Sequence, residues 1–93
     1  MTLGEAERVR ARVVVSGAVQ GVGFRWTASR QAREHGVAGW IRNNDDGTVE
    51  AVFEGVPAAV DHMIAWCRKG PRSASVAGVG VQWEPPEGLT AFE

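Results

Sequence analysis

The sequence predicts an α+β fold in which an antiparallel sheet carries two helices on one face. Its 93 residues suffice for one hydrophobic core but not for two, so we expect a single domain over residues 1–93, with a loose segment over residues 1–8. Hydrophobic residues make up 44% and charged residues 23% of the chain, which is typical of a globular domain rather than a disordered chain. Apolar residues repeat with strand and helix periods in the order β-α-β-β-α-β.

The first strand and the first helix are predicted from two different apolar repeats. Over residues 9–16 an apolar residue occupies every second position, which indicates a half-buried strand. From Phe24 to Ala32 apolar residues recur every four positions, which is the spacing of a helix, here over about residues 23–35. Gly36 follows this segment and suits the left-handed residue that ends many helices.

A β-hairpin is predicted next, with strands over residues 37–43 and 48–53. The residues between them are Asn44-Asp45-Asp46-Gly47, and an Asp-Gly pair favours a tight turn. We therefore interpret Asp45 and Asp46 as turn residues.

The second helix is predicted to begin at Pro57 and to end before Gly70, because proline suits a first turn and glycine suits a helix end. Its apolar residues share one face, formed by Val60, Met63, Ile64 and Cys67.

Residues 89–93 are expected to add a short edge strand. A fourth strand is predicted from apolar residues at alternating positions, namely Val79, Val81 and Trp83.

This order of elements is the split β-α-β arrangement of ferredoxin-like folds. In it, the first and third strands lie side by side in the middle of the sheet. The loop after the first strand and the turn after the second can then face a common region. Because many unrelated activities use this architecture, the fold alone establishes no function.

Charge and cysteine content exclude several classes of function. The net charge of −1 and the pI near 6.1 argue against a general nucleic-acid-binding face, which needs a basic surface. The single cysteine, Cys67, allows no internal disulfide, and on an apolar helix face we expect it to be a packed thiol. His35 and His62 lie on different predicted helices without partners at ligand spacing, so we expect no metal site.

Membrane association is also unexpected from the sequence. No apolar run approaches the about 18 residues of a membrane-spanning helix, and residues 1–8 lack the apolar stretch of an export signal. We therefore expect a cytoplasmic monomer with no membrane or nucleic-acid partner.

A glycine-rich segment lies where the first strand turns into the first helix, and it reads Gly17-Ala18-Val19-Gln20-Gly21-Val22-Gly23-Phe24-Arg25. Gly21 and Gly23 can take positive φ, which lets several backbone N–H groups turn inward and bind an anion. The helix N-terminus adds free donors, and Arg25 in the first turn can hold two oxygens of a phosphate. The alternative is a tight turn with Arg25 as a solvated charge. The segment lacks the Gly-Lys-Ser/Thr ending of a P-loop.

Asn43 closes the second predicted strand and is a second candidate. Its amide can accept from a water through its oxygen and donate from its nitrogen. The alternative is that Asn43 and Asn44 simply form the turn, as asparagine often does.

Taken together, these segments resemble the two signatures of the acylphosphatase family. The first is matched by Val15 to Arg25, and the second by Gly39-Trp40-Ile41-Arg42-Asn43 through Gly47-Thr48-Val49, with Gly55 beyond. The resemblance spans nearly the whole chain. Two departures are Ile41, where a smaller residue is commoner, and an ending at Phe92-Glu93 that is a few residues short of the usual one.

The resemblance implies a hydrolase that cleaves the carboxyl-phosphate bond of acyl phosphates without a metal or cofactor. It implies that Arg25 binds the phosphate and that Asn43 positions the attacking water. The phosphate would also be held by a loop formed by Val19, Gln20, Gly21, Val22, Gly23 and Phe24. The partners are then a small acyl phosphate and inorganic phosphate.

Three other functions remain as alternatives. An RNA-recognition module has the same element order, but its aromatic third-strand consensus is missing, and Glu50 and Glu54 would repel phosphate. An acylphosphatase-like domain of hydrogenase-maturation carbamoyltransferases would act on carbamoyl phosphate, but such domains begin longer, cysteine-rich chains. A catalytically inactive phosphate-binding partner domain is the third.

The remaining polar and aromatic residues have mostly structural interpretations. Trp26, next to Arg25, is a candidate for the wall of an acyl pocket, and Asn44 and Thr48 are candidates for holding Asn43 in place. The other tryptophans are expected in or near the core, at Trp40, Trp66 and Trp83. A solvated strand edge is expected from Arg8, Arg10 and Arg12.

Overall fold

The computed structural model describes residues 7–93 and contains the six elements in the order that the sequence predicts. They are β1 (Val9–Ala18), α1 (Phe24–Glu34), β2 (Ala38–Asn43), β3 (Val49–Gly55), α2 (Pro57–Lys69) and β4 (Ser75–Glu84). The expected loose segment over residues 1–8 falls mostly on residues 1–6, which lie outside the described residues. No helix in the described range is long and apolar enough to cross a membrane.

The sheet has the strand order β2-β3-β1-β4, and every neighbouring pair is antiparallel. β1 and β3 therefore lie in the middle, as predicted. The register aligns three strands at one row, because Val49 of β3 faces Val15 of β1 on one side and Asn43 of β2 on the other. The loop after β1 and the turn after β2 thus leave the sheet at the same end.

The core lies between one face of the sheet and both helices. Alternate residues of the central strands point into it, and α1 adds Phe24, whose ring meets the Trp66 ring edge-on at 5.1 Å. The apolar face of α2 is buried as predicted, at Val60, Met63, Ile64 and Cys67. Burial raises the pKa of the Cys67 thiol to about 12, which fits a packed thiol rather than a reactive one.

The expectation of a solvated arginine edge is wrong for Arg10 and Arg12. β1 is a central strand, so these side chains lie on the open face of the sheet between two neighbouring strands. Arg10 is only 4% exposed and pairs with Glu54 at 3.3 Å and Glu84 at 3.0 Å. Arg12 pairs with Glu84 and Glu50, each at 2.7 Å. A connected ion-pair network therefore crosses the open face.

Glu54 is fully buried and anchors the C-terminal segment to this network. Burial alone would raise the pKa of its carboxyl, but N–H donors of Glu87, Leu89 and Gly88, together with the Arg10 guanidinium, lower it further than burial raises it. The pKa of Glu54 therefore lies below its ordinary value, and the carboxylate holds residues 87–89 against the sheet.

The expected edge strand over residues 89–93 is present only as one parallel bridge between Gly39 and Phe92. Phe92 is buried and stacks on Phe53 at 5.9 Å between ring centroids. Arg33 of α1 donates to the Phe92 carbonyl at 3.2 Å. The C-terminal segment thus meets the β2 edge through two backbone hydrogen bonds at Gly39 and the buried Phe92 side chain rather than through a full ladder.

The tryptophans follow the expectation in two cases out of three. Trp40 and Trp66 are half-buried, and Trp40 lies under the Arg42 guanidinium at 5.0 Å. Trp83 is 55% exposed, so its expected core position is wrong. It stands one residue before the end of β4, which is an edge strand.

The Glu54 anchor predicts a specific loss of stability in acid. The pKa values of Glu54, Glu50 and Glu84 are all lowered on folding from an ordinary value of 4.5, so the stability they confer is complete above about pH 4.5 and is lost as the pH falls through the folded-state values. Glu54→Gln should lower the free energy of unfolding at neutral pH by about 3 kcal/mol, because it leaves Arg10 buried without its full counter-charge. Glu54→Gln should also reduce the amount of unfolding free energy that the protein loses in acid.

Urea denaturation at neutral pH and at about pH 3.5 measures both effects. Glu34→Gln is the matched control, since its pair with Arg30 is a 3.7 Å contact on an exposed helix face and should contribute less than about 0.5 kcal/mol. A Glu54→Gln protein as stable as the parent, with the same acid dependence, would contradict the anchoring role.

Candidate active site

The loop between β1 and α1 presents backbone donors without protein acceptors. Within the described residues, the N–H groups of residues 20–26 donate to no protein group, while the Val19 N–H bonds to the Gly17 carbonyl at 3.1 Å. Gly21 and Gly23 have φ of 73° and 80°, and Gly23 is the N-cap of α1. A Cβ would meet nothing at either glycine, so the backbone angle and not packing requires glycine there. The free N–H groups and the start of α1 form a site that favours an anion.

The loop and the end of β2 share one small cavity of about 150 Å³. It is lined by Val19, Gly21, Gly23, Phe24, Arg25, Trp26 and Asn43. Arg25 and Asn43 are both exposed, and neither side chain donates to another residue within the part of the chain that the structure describes. A planar cation, a free amide and several N–H donors therefore converge on one space.

Two residues of the expected phosphate loop do not line this cavity. The Gln20 side chain turns away, and its Nε2 donates to the Asn44 carbonyl at 2.8 Å and to the Thr48 carbonyl at 2.9 Å. Val22 packs partly against the core, and its carbonyl accepts from the Ser73 hydroxyl at 2.7 Å. Neither side chain therefore contributes to the lining of the cavity.

The turn after β2 is held by its own polar groups. Asp46 accepts from the Thr48 hydroxyl at 2.6 Å and from its N–H at 3.0 Å, which lowers the pKa of Asp46. Asn44 donates from Nδ2 to the Thr48 hydroxyl at 3.0 Å and to Glu50 at 3.2 Å. Asp46 is therefore a turn residue, as predicted. Asn44 and Thr48 fix the turn that directly follows Asn43, and neither hydrogen-bonds to the Asn43 side chain.

Glu50 links this turn to the ion-pair network of the open face. Its carboxylate accepts from Arg12 at 2.7 Å, from Arg42 at 3.0 Å and from Asn44. The Arg12 hydrogen bond is the largest cause of a pKa below the ordinary value for Glu50, with Arg42 and Asn44 adding to it against burial. Glu50 therefore acts as a fixed anion beneath the turn rather than as a proton carrier in the cavity.

Trp26 forms an outer wall of the cavity. Its side chain is 67% exposed, and the Arg30 guanidinium lies 5.3 Å from its ring centroid. An exposed aromatic ring beside a convergent set of donors offers an apolar surface for whatever is attached to the anion.

The histidines lie away from this cavity, at the other end of α1. Their rings stack at 3.8 Å between centroids, and His62 Nε2 lies 3.2 Å from the Gln31 side-chain oxygen. Within residues 7–93, no three His, Cys, Asp or Glu side chains form a group able to hold a metal ion. Sequence spacing gives no sign of the stacked pair, because its partners are 27 positions apart, with His35 directly after α1 and His62 on α2.

A larger groove of about 680 Å³ lies elsewhere, beside the C-terminal segment. Arg8 and Arg33 line it, but each donates to a backbone carbonyl of that segment, at Leu89 and Phe92. These two arginines are thus engaged with the protein's own backbone, whereas the Arg25 side chain donates to no described residue, so size alone does not identify the site.

Comparison with known proteins finds a matching family model, similar curated proteins and similar solved structures. The Acylphosphatase family model matches residues 11–93. A curated acylphosphatase of Thermococcus kodakarensis is 56% identical over 87 residues, which covers 94% of this chain and 96% of that protein. The structure of an acylphosphatase from Coxiella burnetii superposes with a TM-score of 0.90 at 34% identity, covering 99% of this chain and 97% of that one.

A structure of full-length HypF in a phosphate- and nucleotide-bound form is also similar. Its TM-score is 0.85 over 92% of this chain, but the identity is 22% and the match covers 11% of that longer chain. This likeness shows the fold alone.

Proposed function

The chain belongs to the acylphosphatase family and hydrolyses acyl phosphates, and we propose that the Arg25–Asn43 cavity is where it does so, without a metal or cofactor. The observation that carries this proposal is the convergence of Arg25, Asn43 and the free loop N–H groups on one space. Phosphoryl transfer asks a protein mainly for positioning and for stabilisation of charge on the equatorial oxygens.

The phosphate lies in the loop, with its oxygens accepting from N–H groups within residues 20–26. Arg25 extends from the first turn of α1 and holds two oxygens through its planar guanidinium. The partial positive charge of the helix N-terminus adds to both. These donors are fixed before the substrate arrives, so little reorganisation accompanies the reaction.

Asn43, which lines the same cavity, orients the attacking water. Its amide oxygen accepts from the water while its nitrogen remains available as a donor. The water oxygen forms a bond to phosphorus, and the bond between phosphorus and the acyl oxygen breaks. The electron pair leaves with the carboxylate, and the water proton passes to an oxygen of the bound phosphate.

The leaving group explains why so few side chains suffice. A carboxylate departs without being protonated, so the reaction needs no general acid. Two carboxylates of this region are already engaged, since Asp46 holds the turn and Glu50 holds two arginines. The phosphate itself receives the proton of the attacking water.

The cysteine and the exposed apolar residues support a proposal for the compartment and the oligomeric state of the enzyme. We place it in the cytoplasm as a monomer, with a small acyl phosphate and inorganic phosphate as partners and no nucleic acid. A buried free thiol at Cys67 suits a reducing compartment. Among described residues the exposed large apolar side chains lie on four different segments, at Val14, Trp26, Val56 and Trp83, which suits a monomer.

Arg25→Ala should weaken both phosphate binding and turnover. Removing a bidentate, charge-assisted contact costs about 2 kcal/mol or more, so the inhibition constant for inorganic phosphate should rise at least about 30-fold and kcat should fall with it. Arg25→Lys should restore little, since a point charge lacks the planar fork. Steady-state assays with a chelator present measure both constants. Arg68→Ala, at an exposed position near the end of α2, is the charge-matched control and should leave both unchanged. An Arg25→Ala enzyme with near-parental constants would show that the arginine has no role in the reaction.

Asn43→Ala should separate water positioning from phosphate binding. Losing one preorganised hydrogen-bonding group should lower kcat on the order of 10²-fold, while competitive inhibition by inorganic phosphate stays the same. Asn43→Asp should not rescue turnover, because a carboxylate has no donor and adds negative charge near phosphate. Measuring kcat, phosphate inhibition and the melting temperature on one sample distinguishes a catalytic role from a turn-forming one. A destabilised but fully active Asn43→Ala protein would contradict the catalytic role.

Trp26→Ala should act on the acyl group and not on the phosphate. An aromatic ring stacked on Trp26 gains about 1 kcal/mol, so KM for benzoyl phosphate should rise about 5-fold while KM for acetyl phosphate barely changes. Trp83→Ala, which removes another exposed tryptophan on β4, is the control. Equal effects of Trp26→Ala on the two substrates would place the acyl group elsewhere.

A further inference from the structure

The Gln20 side chain joins the anion-binding loop to the turn that follows β2. It is half-buried, and its Nε2 donates at 2.8 Å to the Asn44 carbonyl and at 2.9 Å to the Thr48 carbonyl. A primary amide has two N–H donors, so both are used on this one turn. The contacts connect residues 24 and 28 positions apart.

The turn does not need Gln20 for its own hydrogen bonds. The Asn44 carbonyl also accepts from the Gly47 N–H at 3.2 Å, and the Thr48 carbonyl accepts from the Asn44 N–H at 2.8 Å. Without the Gln20 amide, each carbonyl keeps a backbone donor, and no buried group is left unsatisfied. What the Gln20 contacts add is the position of the loop relative to the turn.

The loop has a second tether on its other side. The Ser73 hydroxyl, in the segment between α2 and β4, donates to the Val22 carbonyl at 2.7 Å. Among residues 7–93, no side chain other than that of Gln20 forms a hydrogen bond between the loop and the turn. The two tethers thus hold the same loop, but only the Gln20 hydrogen bonds connect the loop with the turn next to Asn43.

We propose that Gln20 is a positioning residue, which sets the distance between phosphate in the loop and the water held by Asn43. The inference rests on the proposed roles of the loop and Asn43. Attack requires the water oxygen and phosphorus to lie about 3–3.5 Å apart and in line with the leaving oxygen, and a shift of about 1 Å can cost 10²-fold in rate. The sheet register fixes the position of Asn43. The loop lies beyond the end of β1, so its position relative to Asn43 depends on the Gln20 hydrogen bonds.

Gln20→Ala should therefore lower kcat about 10-fold and leave the phosphate inhibition constant unchanged. Gln20→Glu should behave no better, because a carboxylate of similar shape cannot donate to the two carbonyls. Ser73→Ala is the matched control: it removes a tether of the same loop on the side away from Asn43 and should leave kcat unchanged. An equal fall in kcat in both alanine variants would mean general loosening of the loop and would overturn the inference.

A double-mutant cycle with Asn43→Ala gives the decisive readout. If Gln20 acts through the placement of Asn43, the 10-fold loss from Gln20→Ala should disappear in the Asn43→Ala background. The same loss in both backgrounds, or no loss in the parent, would overturn the positioning role while leaving the proposed function intact. A fully active Asn43→Ala enzyme would instead overturn the role of Asn43, and the inference with it.

Discussion

The row of residues across β1, β3 and β2 at Val49 is the constraint on which the site depends. Val49 faces Val15 on one side and Asn43 on the other, so the strand that leads into the loop and the strand that ends at Asn43 are aligned through one residue. Side chains alternate across a sheet, so a slip of one position in either pairing would turn Asn43 to the other face and expose the core side of the strand. The apolar alternation of β1 and β3 makes such a slip costly. The hydrophobic pattern thus positions Arg25 and Asn43, the proposed catalytic groups, which are themselves exposed.

The open face of the sheet carries a second constraint, an ion-pair network that extends to the turn after β2. Arg10 and Arg12 share Glu84, and Arg12 continues to Glu50, which in turn accepts from Asn44 in the turn. At its other end the network includes Glu54, which holds the C-terminal segment over the sheet. Buried charges are expensive unless each is paired, so the network is stable only when strands and C-terminal segment are all in place. The turn, which its own hydrogen bonds already hold, is joined to this network through Asn44 and Glu50.

Much of the fold could be predicted from the sequence because its signals are local. Gly36 and Gly70 end the helices, Gly47 closes the hairpin, and the spacing of Val60 to Cys67 gives the buried face of α2. The candidate site was also visible, since the glycines at φ 73° and 80° and Arg25 are neighbours along the chain.

The features that were missed depend on tertiary placement. Arg10 looked like a surface residue because its burial requires knowing that β4 pairs with β1, some 70 positions away. The Gln20 tether was invisible because any glutamine in a loop can point to solvent, and only the approach of the hairpin gives it two acceptors. Trp83 followed a valid strand pattern, yet edge position left it exposed.

The central claim is that phosphate binds to the loop over residues 20–26, in the cavity that Asn43 also lines. A titration with inorganic phosphate followed by ¹⁵N NMR tests this claim most directly. The claim predicts that shifts concentrate on the backbone amides of residues 20–26 and on the side-chain amide of Asn43. Shifts concentrated instead around Arg8 and Arg33, in the larger groove beside the C-terminal segment, with residues 20–26 unchanged, would contradict it.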